Sequence, residues 1–299
     1  MRESDRDHSG DNMLNRKIML LQTALNASLQ GVLITDGAGS ILYHNDFLLG
    51  LFGIPDHVLT GRNVAWKEAI SRRIKDSERM LRALSQIESQ AVTETLDIFE
   101  LLDGRLVECR TRYQVVEPGG EACRLWWFVD CTEQQRRERE LQHLSTHDTL
   151  TGTHNRAFFD SRLRQLRFGE YYPICMVMVD IDGLKKVNDR WGHPAGDDLL
   201  RQAARILRHA CRTEDIVARL GGDEFGLLLV RAGSDTAEQV TNRIFGLLNL
   251  YNIRNPNDAL SLSLGYAVAR DKEEIEDLFD RADQIMYEAR RKRRQKMLV

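Results

Sequence analysis

Strand-like and helix-like apolar runs alternate along the second half of the chain. Residues 174–182 read Ile-Cys-Met-Val-Met-Val-Asp-Ile-Asp, an unbroken apolar stretch that ends in two carboxylates. Such a run predicts a central strand buried on both faces. Ile216 to Leu220 and Phe225 to Val230 are shorter runs joined by Gly221, Gly222, Asp223 and Glu224, the pattern of a hairpin. Helical spacing appears in Phe158, Phe159, Leu163 and Leu166, and again in Leu199, Leu200, Ala203, Ala204 and Leu207. It returns in Val240, Ile244, Leu247 and Leu248, and in Ile275, Leu278, Phe279, Ala282, Ile285 and Met286. These stripes read as core. The coarse order is β-α-α-β-β-α-β, an α+β sheet with helices on its face.

The first half has a different rhythm. Leu29 to Thr35 predicts a strand, Asp36-Gly37 a turn and Ile41-Leu42-Tyr43 a return strand. Asn45 opens a helical run with Phe47, Leu48, Leu51 and Phe52, and a helical middle follows through Ile70, Ile74 and Leu81. Later strands fall at 94–102, 107–116 and 124–130, with turns at Asp103-Gly104 and Pro118-Gly119-Gly120. Glu133 to His147 is highly charged, with Leu141 and Leu144 its apolar positions; heptads counted back from them put Gln134 and Arg137 in the seam. That is a weak coiled coil, equally a solvated spacer helix.

The chemistry gathers where apolar runs end. Asp180 and Asp182 close a buried strand, a costly place for carboxylates unless charge neutralises them. A metal ion supplies that charge. If the hairpin tip lies beside this strand end, Asp180 and Asp223 can share metal, with the Ile181 carbonyl as a further oxygen. At Gly221 and Gly222 a bulky ligand can approach the backbone closely. The alternative for Asp182 is an N-cap of the next segment. Lys185 is a point charge for phosphate. Asn188 and Asp197 could read a purine edge, since a carboxylate accepts from guanine N1 and N2. Taken singly, Asn188 and Asp189 read as turn residues, Asp197 as a helix cap and His193 as structural.

Together these pieces resemble the GGDEF family, the bacterial diguanylate cyclases. Asp148-Thr149-Leu150-Thr151-Gly152 with Asn155-Arg156 is similar to the family's opening motif. Asp180 through Asp189, Gly192-His193 and Gly196-Asp197 resembles its central motif, and Gly221 to Phe225 its signature. Ser263 to Ala267 resembles the late strand; Ala282-Asp283, Met286-Tyr287 and Ala289 resemble the final helix. Several motifs in order are far more specific than one. The resemblance implies a ferredoxin-like nucleotidyl-cyclase domain that condenses two GTP into cyclic di-GMP and releases two pyrophosphates. It implies Mg²⁺ or Mn²⁺, two per active site, on Asp180, the Ile181 carbonyl, Asp223 and Glu224. Glu224 would also assist in deprotonating the ribose 3′-hydroxyl. Asn188 and Asp197 would read guanine beside Gly221 and Gly222, and Lys185, Arg290 and Arg294 would hold the phosphates. Arg212 and Asp215 would form a product-inhibition site for cyclic di-GMP. The two-fold product implies a homodimer.

Some positions depart from the family pattern. Leu184 stands for Phe, Thr153 for Leu and Arg290 for Lys, while Arg293 and Gln295 replace Gly and Asn. Residues 19–132 resemble a PAS sensor domain, and Val129-Asp130-Cys131-Thr132-Glu133 resembles its ending. Gly61-Arg62-Asn63-Val64 echoes a flavin photosensor motif with Val64 in the adduct cysteine's place. His44 and His57 read as turn or surface histidines rather than haem ligands, and the PAS ligand stays unknown. The expected organisation is a polar extension over 1–18, a PAS-like domain over 19–132, a linker helix over 133–147 and a cyclase domain over 148–299.

The 299-residue length has room for both domains. Net charge −3 argues against a nucleic-acid binder. Five cysteines without a Cys-x-x-Cys pair fit a reducing cytoplasm. With no apolar stretch of spanning length and no signal-peptide core in Met1 to Lys17, the chain reads as soluble, complete and free of a membrane. The rival functions are a non-catalytic cyclic di-GMP receptor using Arg212 and Asp215, a cyclase making mixed dinucleotides, and a PAS scaffold with a silent catalytic half.

Overall fold

The computed structural model describes residues 4–59, 65–89, 94–115 and 121–296. It divides into two units, Met1–Glu138 and Arg139–Val299. The Gly61-Arg62-Asn63-Val64 motif and the Pro118-Gly119-Gly120 turn lie outside the described residues.

The first unit begins with helix α1 (Ser4–Asn26), followed by β1 (Gly31–Asp36), β2 (Ile41–His44), α2 (Asp46–Phe52) and α3 (Asp56–Leu59). Helices α4 (Ala65–Ser71) and α5 (Ser77–Ser89) lead to β3 (Glu94–Glu100), β4 (Leu106–Val115) and β5 (Ala122–Asp130). Helix α6 (Thr132–Thr146) runs across the division between the units. The strands form one antiparallel sheet in the order β2-β1-β5-β4-β3. On β5 the period of two turns Arg124, Trp126 and Phe128 inward. Trp126 meets Trp66 at 5.4 Å and Phe128 meets Phe52 at 5.3 Å, both edge to face.

Asn45 explains how β1 and α2 are joined. Its Oδ1 accepts from the N–H groups of Leu48 and Val32, capping α2 and gripping β1. Its Nδ2 donates to the carbonyls of Leu25 and Gln30. One expectation needs correction. The first strand starts at Gly31, and Leu29 is exposed. Residues 4–18 of the expected polar extension lie in α1, which continues past residue 19. Its residues Ile18, Met19, Leu20 and Leu21 are exposed, and Leu14, Ile18, Leu21 and Leu25 recur at helical spacing along it. His44 sits 3.3 Å from Asp56.

The second unit contains β6 (His154–Asn155), α7 (Arg156–Leu166), β7 (Ile174–Ile181), α8 (Leu184–Trp191) and α9 (His193–Ala210). The hairpin β8 (Ile216–Gly221) and β9 (Glu224–Leu229) follows, then α10 (Ser234–Arg254), β10 (Leu262–Ala269) and α11 (Leu278–Lys296). From β7 to β10 the order is the predicted β-α-α-β-β-α-β. The sheet runs β10-β7-β9-β8-β6, antiparallel except for the short β6–β8 pair. Every residue of β7 is buried, because helices cover both faces rather than one. Cys175, Val177, Val179 and Ile181 pack into the core that holds α9 and α10. Ile174, Met176 and Met178 pack into the core that holds α7 and α11. Ile275 is buried just ahead of α11, and Ile285 is exposed, so it does not belong to the core stripe.

Gly265 sets how close α11 can come. A Cβ there would overlap the backbone of Met286 and Ala282. The bare backbone of β10 therefore lets α11 lie directly on the sheet, and this brings the helix's basic end to the end of β7.

Candidate active site

The register places the carboxylates together. Asp180 pairs with Glu224 across β7–β9 and with Ser263 across β10–β7. Directly paired residues share a face. Asp223 lies in the turn between β8 and β9, and its carbonyl accepts from the Ile181 N–H at 3.0 Å. Asp180 is wholly buried, whereas Asp223 and Glu224 are half-buried. Burial, and then the Asp223 charge, push the Asp180 carboxyl up to about 7 against the opposing pull of Arg290. Asp180 Oδ1 is buried and accepts no hydrogen bond. A buried, partnerless carboxylate oxygen beside two more carboxylates is a donor set for a hard divalent cation. Among the described residues no three His, Cys, Asp or Glu side chains converge into a cage. A cation here would complete its shell with backbone carbonyl, phosphate oxygen and water.

Two arginines from α11 reach this end of the sheet. Arg290 Nη1 lies 2.5 Å from Asp180 Oδ2 and its Nη2 lies 3.8 Å from Asp223 Oδ2. Arg290, expected on phosphate, thus rests on the carboxylates. Arg293 Nη1 donates to the Leu262 carbonyl, to Ser261 Oγ at 3.2 Å and to Asp182 Oδ2 at 3.3 Å. Asp182 also accepts from Ser261 Oγ at 2.7 Å and Ser263 Oγ at 2.8 Å. It is not the N-cap of α8; that place is taken by Gly183, and no side chain caps it. The two serines and Arg293 draw its oxygens toward β10 instead. Arg294 belongs to α11, but its side chain lies outside the described residues.

The α8–α9 hairpin carries the remaining groups. Lys185 is exposed on the first turn of α8. Asn188 and Asp189 are helical rather than turn residues, and Asp197 lies inside α9 rather than capping it, because the helix already starts at His193. Pro194 near the α9 N-terminus explains that earlier start. Asn188 packs onto Gly196, where any Cβ would overlap Oδ1. That oxygen is buried and unpartnered, next to half-buried Asp197. Gly221 and Gly222 face open space, and Gly222 has φ +45°.

Arg219 was not singled out by sequence. Its Nε and Nη2 donate to the Gly222 carbonyl at 3.1 and 2.7 Å, and Nη1 reaches Asp148 at 3.3 Å. It ties the hairpin tip to the opening motif. The available signal was a lone arginine inside the apolar run 216–220. Burial works against ionisation of Asp148, but hydrogen bonds from Thr151 and the nearby Arg219 outweigh it and leave its pKa lowered.

Arg212 and Asp215 lie in the turn after α9. The Arg212 N–H donates to Asp215 Oδ2 at 2.8 Å, while its guanidinium lies 3.9 Å from Glu214. Asp215 is half-buried, and burial raises its pKa. A cavity of about 340 Å³ adjoins both, lined also by His147, His154 and Arg208.

The diguanylate cyclase GGDEF domain family matches residues 145–296, and a PAS domain family matches residues 19–85. The chain belongs to the GGDEF family. Diguanylate cyclase DgcM of Escherichia coli O157:H7 is 33% identical to this GGDEF protein over 207 residues, covering 68% of this chain and 50% of DgcM. Diguanylate cyclase TpbB of Pseudomonas aeruginosa (strain UCBPP-PA14) is 36% identical over 168 residues, covering 54% of this chain and 38% of TpbB. The chain thus spans half the length of DgcM or less of such relatives. The coiled-coil and GGDEF domain structure of DgcB from Caulobacter crescentus, in complex with c-di-GMP, aligns with TM-score 0.47 and 25% identity. That alignment covers 53% of this chain and 87% of DgcB's. Among the described residues no helix is long and apolar enough to cross a membrane.

Proposed function

We propose that this GGDEF protein joins two GTP molecules into cyclic di-GMP and releases two pyrophosphates. The observation that carries the reading is the Asp180 carboxylate, buried and open at Oδ1 beside Asp223 and Glu224. Family membership and relatives named as diguanylate cyclases support it. In each half-reaction a ribose 3′-oxygen bonds to the α-phosphorus of the other nucleotide. The bond from that phosphorus to the pyrophosphate oxygen breaks, and the hydroxyl proton leaves through Glu224 or water. Asp180, the Ile181 carbonyl, Asp223 and Glu224 would hold two Mg²⁺ or Mn²⁺ ions, whose charge activates the 3′-hydroxyl and stabilises the leaving pyrophosphate. Asn188 and Asp197 take the guanine edge. Gly221 and Gly222 leave room for the phosphates, which Lys185, Arg290 and Arg294 hold.

One chain holds one GTP, so a homodimer brings two sites face to face. Residues 19–132 act as the sensor, 133–147 as the linker and 148–299 as the cyclase. Pairing of the sensors raises the effective concentration of the cyclase domains. Arg212 and Asp215 bind cyclic di-GMP as a feedback inhibitor. The protein works in the cytoplasm, where GTP is found. Incubation with GTP and Mg²⁺ followed by chromatography should yield cyclic di-GMP, and Asp223→Ala should abolish turnover with the fold retained. Undiminished turnover in that variant would overturn the assignment.

A further inference from the structure

The carboxylates at the sheet end already face a cation, and it belongs to the protein. Arg290 spans two carboxylates, one on β7 and one in the β8–β9 turn, with Nη1 2.5 Å from Asp180 Oδ2 and Nη2 3.8 Å from Asp223 Oδ2. The Asp180 side chain is 0% exposed and that of Arg290 24%. Neither group is fully used. Asp180 Oδ1 accepts nothing, and Arg290 Nε donates to nothing. The pair is therefore joined at one edge of each group and left open at the other.

We propose that Arg290 is an exchangeable internal counter-ion for the metal-binding carboxylates. A divalent cation takes its place between Asp180 and Asp223, and the guanidinium moves onto the nucleotide's triphosphate. The proposal rests on the reading of Asp180 and Asp223 as metal ligands. A guanidinium and a divalent cation on the same carboxylate pair repel one another at close range. Without nucleotide, an incoming cation must displace Arg290 with no anion to receive it. With nucleotide, the exchange is balanced, because the planar fork that suits carboxylate suits phosphate equally well. Metal and nucleotide binding are then coupled, and the coupling is reciprocal.

Arg293 makes this exchange a side-chain event. It stays bound to Asp182, Ser261 and the Leu262 carbonyl, and Gly265 keeps α11 against β10. The helix is thus pinned on both sides of Arg290, so the guanidinium can swing while the backbone stays. A lysine at this position would carry the charge without the fork that spans both carboxylates.

The test is Mn²⁺ binding by the full chain, read from the electron paramagnetic resonance signal of free Mn²⁺. It is run with and without 3′-deoxy-GTP, which cannot form the 3′ phosphodiester. In the parent, the nucleotide should tighten Mn²⁺ binding at least about tenfold, the scale of ordinary coupling energies. Arg290→Gln should bind nucleotide-free Mn²⁺ about tenfold more tightly than the parent, and most of the nucleotide enhancement should vanish. Arg290→Lys should fall between, and it serves also if the glutamine variant does not fold. Lys292→Gln removes a charge from the same helix away from the carboxylates and should leave both constants near the parent's. Equal tightening by Lys292→Gln and Arg290→Gln would mean bulk charge and overturn the proposal. So would an unchanged nucleotide-free affinity in both Arg290 variants. Asp180→Asn separates the underlying reading: if it binds Mn²⁺ as well as the parent, the metal assignment itself fails, and the exchange falls with it.

Discussion

The two five-stranded sheets bury polar groups to different ends. In the first unit the buried polar side chains serve the fold. Asn45 fixes α2 to β1, Thr35 accepts from the Trp126 indole at 3.2 Å, and Arg124 donates to the Ile87 carbonyl at 3.1 Å. Buried atoms left unpaired there include Trp66 Nε1 and Thr111 Oγ1, which are neutral. A neutral orphan costs about 1–3 kcal/mol. The second unit has neutral orphans too, Tyr172 Oη and Asn188 Oδ1, but its polar side chain with no exposure at all, Asp180, is a carboxylate with one open oxygen. An ionised group in that position costs far more than a hydroxyl. A fold that needed only stability would replace it; retaining it makes sense where a ligand completes it.

That contrast predicts opposite outcomes for two substitutions. Asp180→Asn should lower turnover by about a thousandfold or more, the scale of losing a principal source of transition-state charge stabilisation. Its effect on the thermal midpoint should be small, because an amide fills the same space and still accepts from Arg290. Trp126→Ala removes a wholly buried ring and should cost the first unit about 3–5 kcal/mol. Hydrogen exchange in β4 and β5 reads the second effect, and GTP turnover with a melting curve reads the first. A large stability loss in Asp180→Asn would break the contrast, since Asp180 would then be structural.

Gly265 tests the place where the two ends meet, because its bare backbone serves packing and site at once. Gly265→Ala forces α11 away from β10 by contact with Met286 and Ala282. The expected cost is about 1–3 kcal/mol, the range for overpacking. Turnover should fall as well, because Arg290 and Arg293 ride on that helix. Full turnover in a destabilised variant would separate α11 packing from the site.

Much of this contrast could be read before any coordinates. The continuous apolar run 174–179 fits a strand covered on both faces, and its ending fits Asp180 facing the hairpin. The order of elements in the second unit was legible because each run has the right length and period. The pairing of Arg290 with Asp180 was not, since the two are 110 residues apart and nothing local marks them. Within the basic run 290–294 an arginine half-buried against a carboxylate looks the same as a solvated one. The cap readings of Asp182 and Asp197 failed for a related reason. Local chemistry offered an N-cap, but Ser261, Ser263 and Arg293 claim Asp182 from distant segments, and α9 starts one turn ahead of Asp197. The N-terminal helix was legible too, in the spacing of Leu14, Ile18, Leu21 and Leu25, but the polar residues that dominate 1–17 masked it.

The smallest expected effect lies at the start of the second unit. The rings of His143, His147, His154 and Phe158 form a column, with centroids 4.1, 4.4 and 3.9 Å apart. Burial lowers the pKa of His147, and the His143 and Arg208 charges lower it further, against a backbone hydrogen bond at His143. Burial likewise lowers that of His154, helped by His147 and His143 and opposed by the Thr146 carbonyl. The folded state therefore refuses protons that the unfolded chain accepts below the ordinary histidine value of about 6.5. Stability from the neutral His147 and His154 rings is complete above that value and declines as pH falls through it. The thermal midpoint of the second unit should thus drop between about pH 7.5 and about pH 5.5. His154→Gln removes the titrating ring that stacks on Phe158 and should flatten that drop, while costing a little stability at high pH through that lost contact. If parent and variant lose stability in parallel on acidification, the column is only a packing feature. The difference between the units would then rest on the sheet-end carboxylates alone.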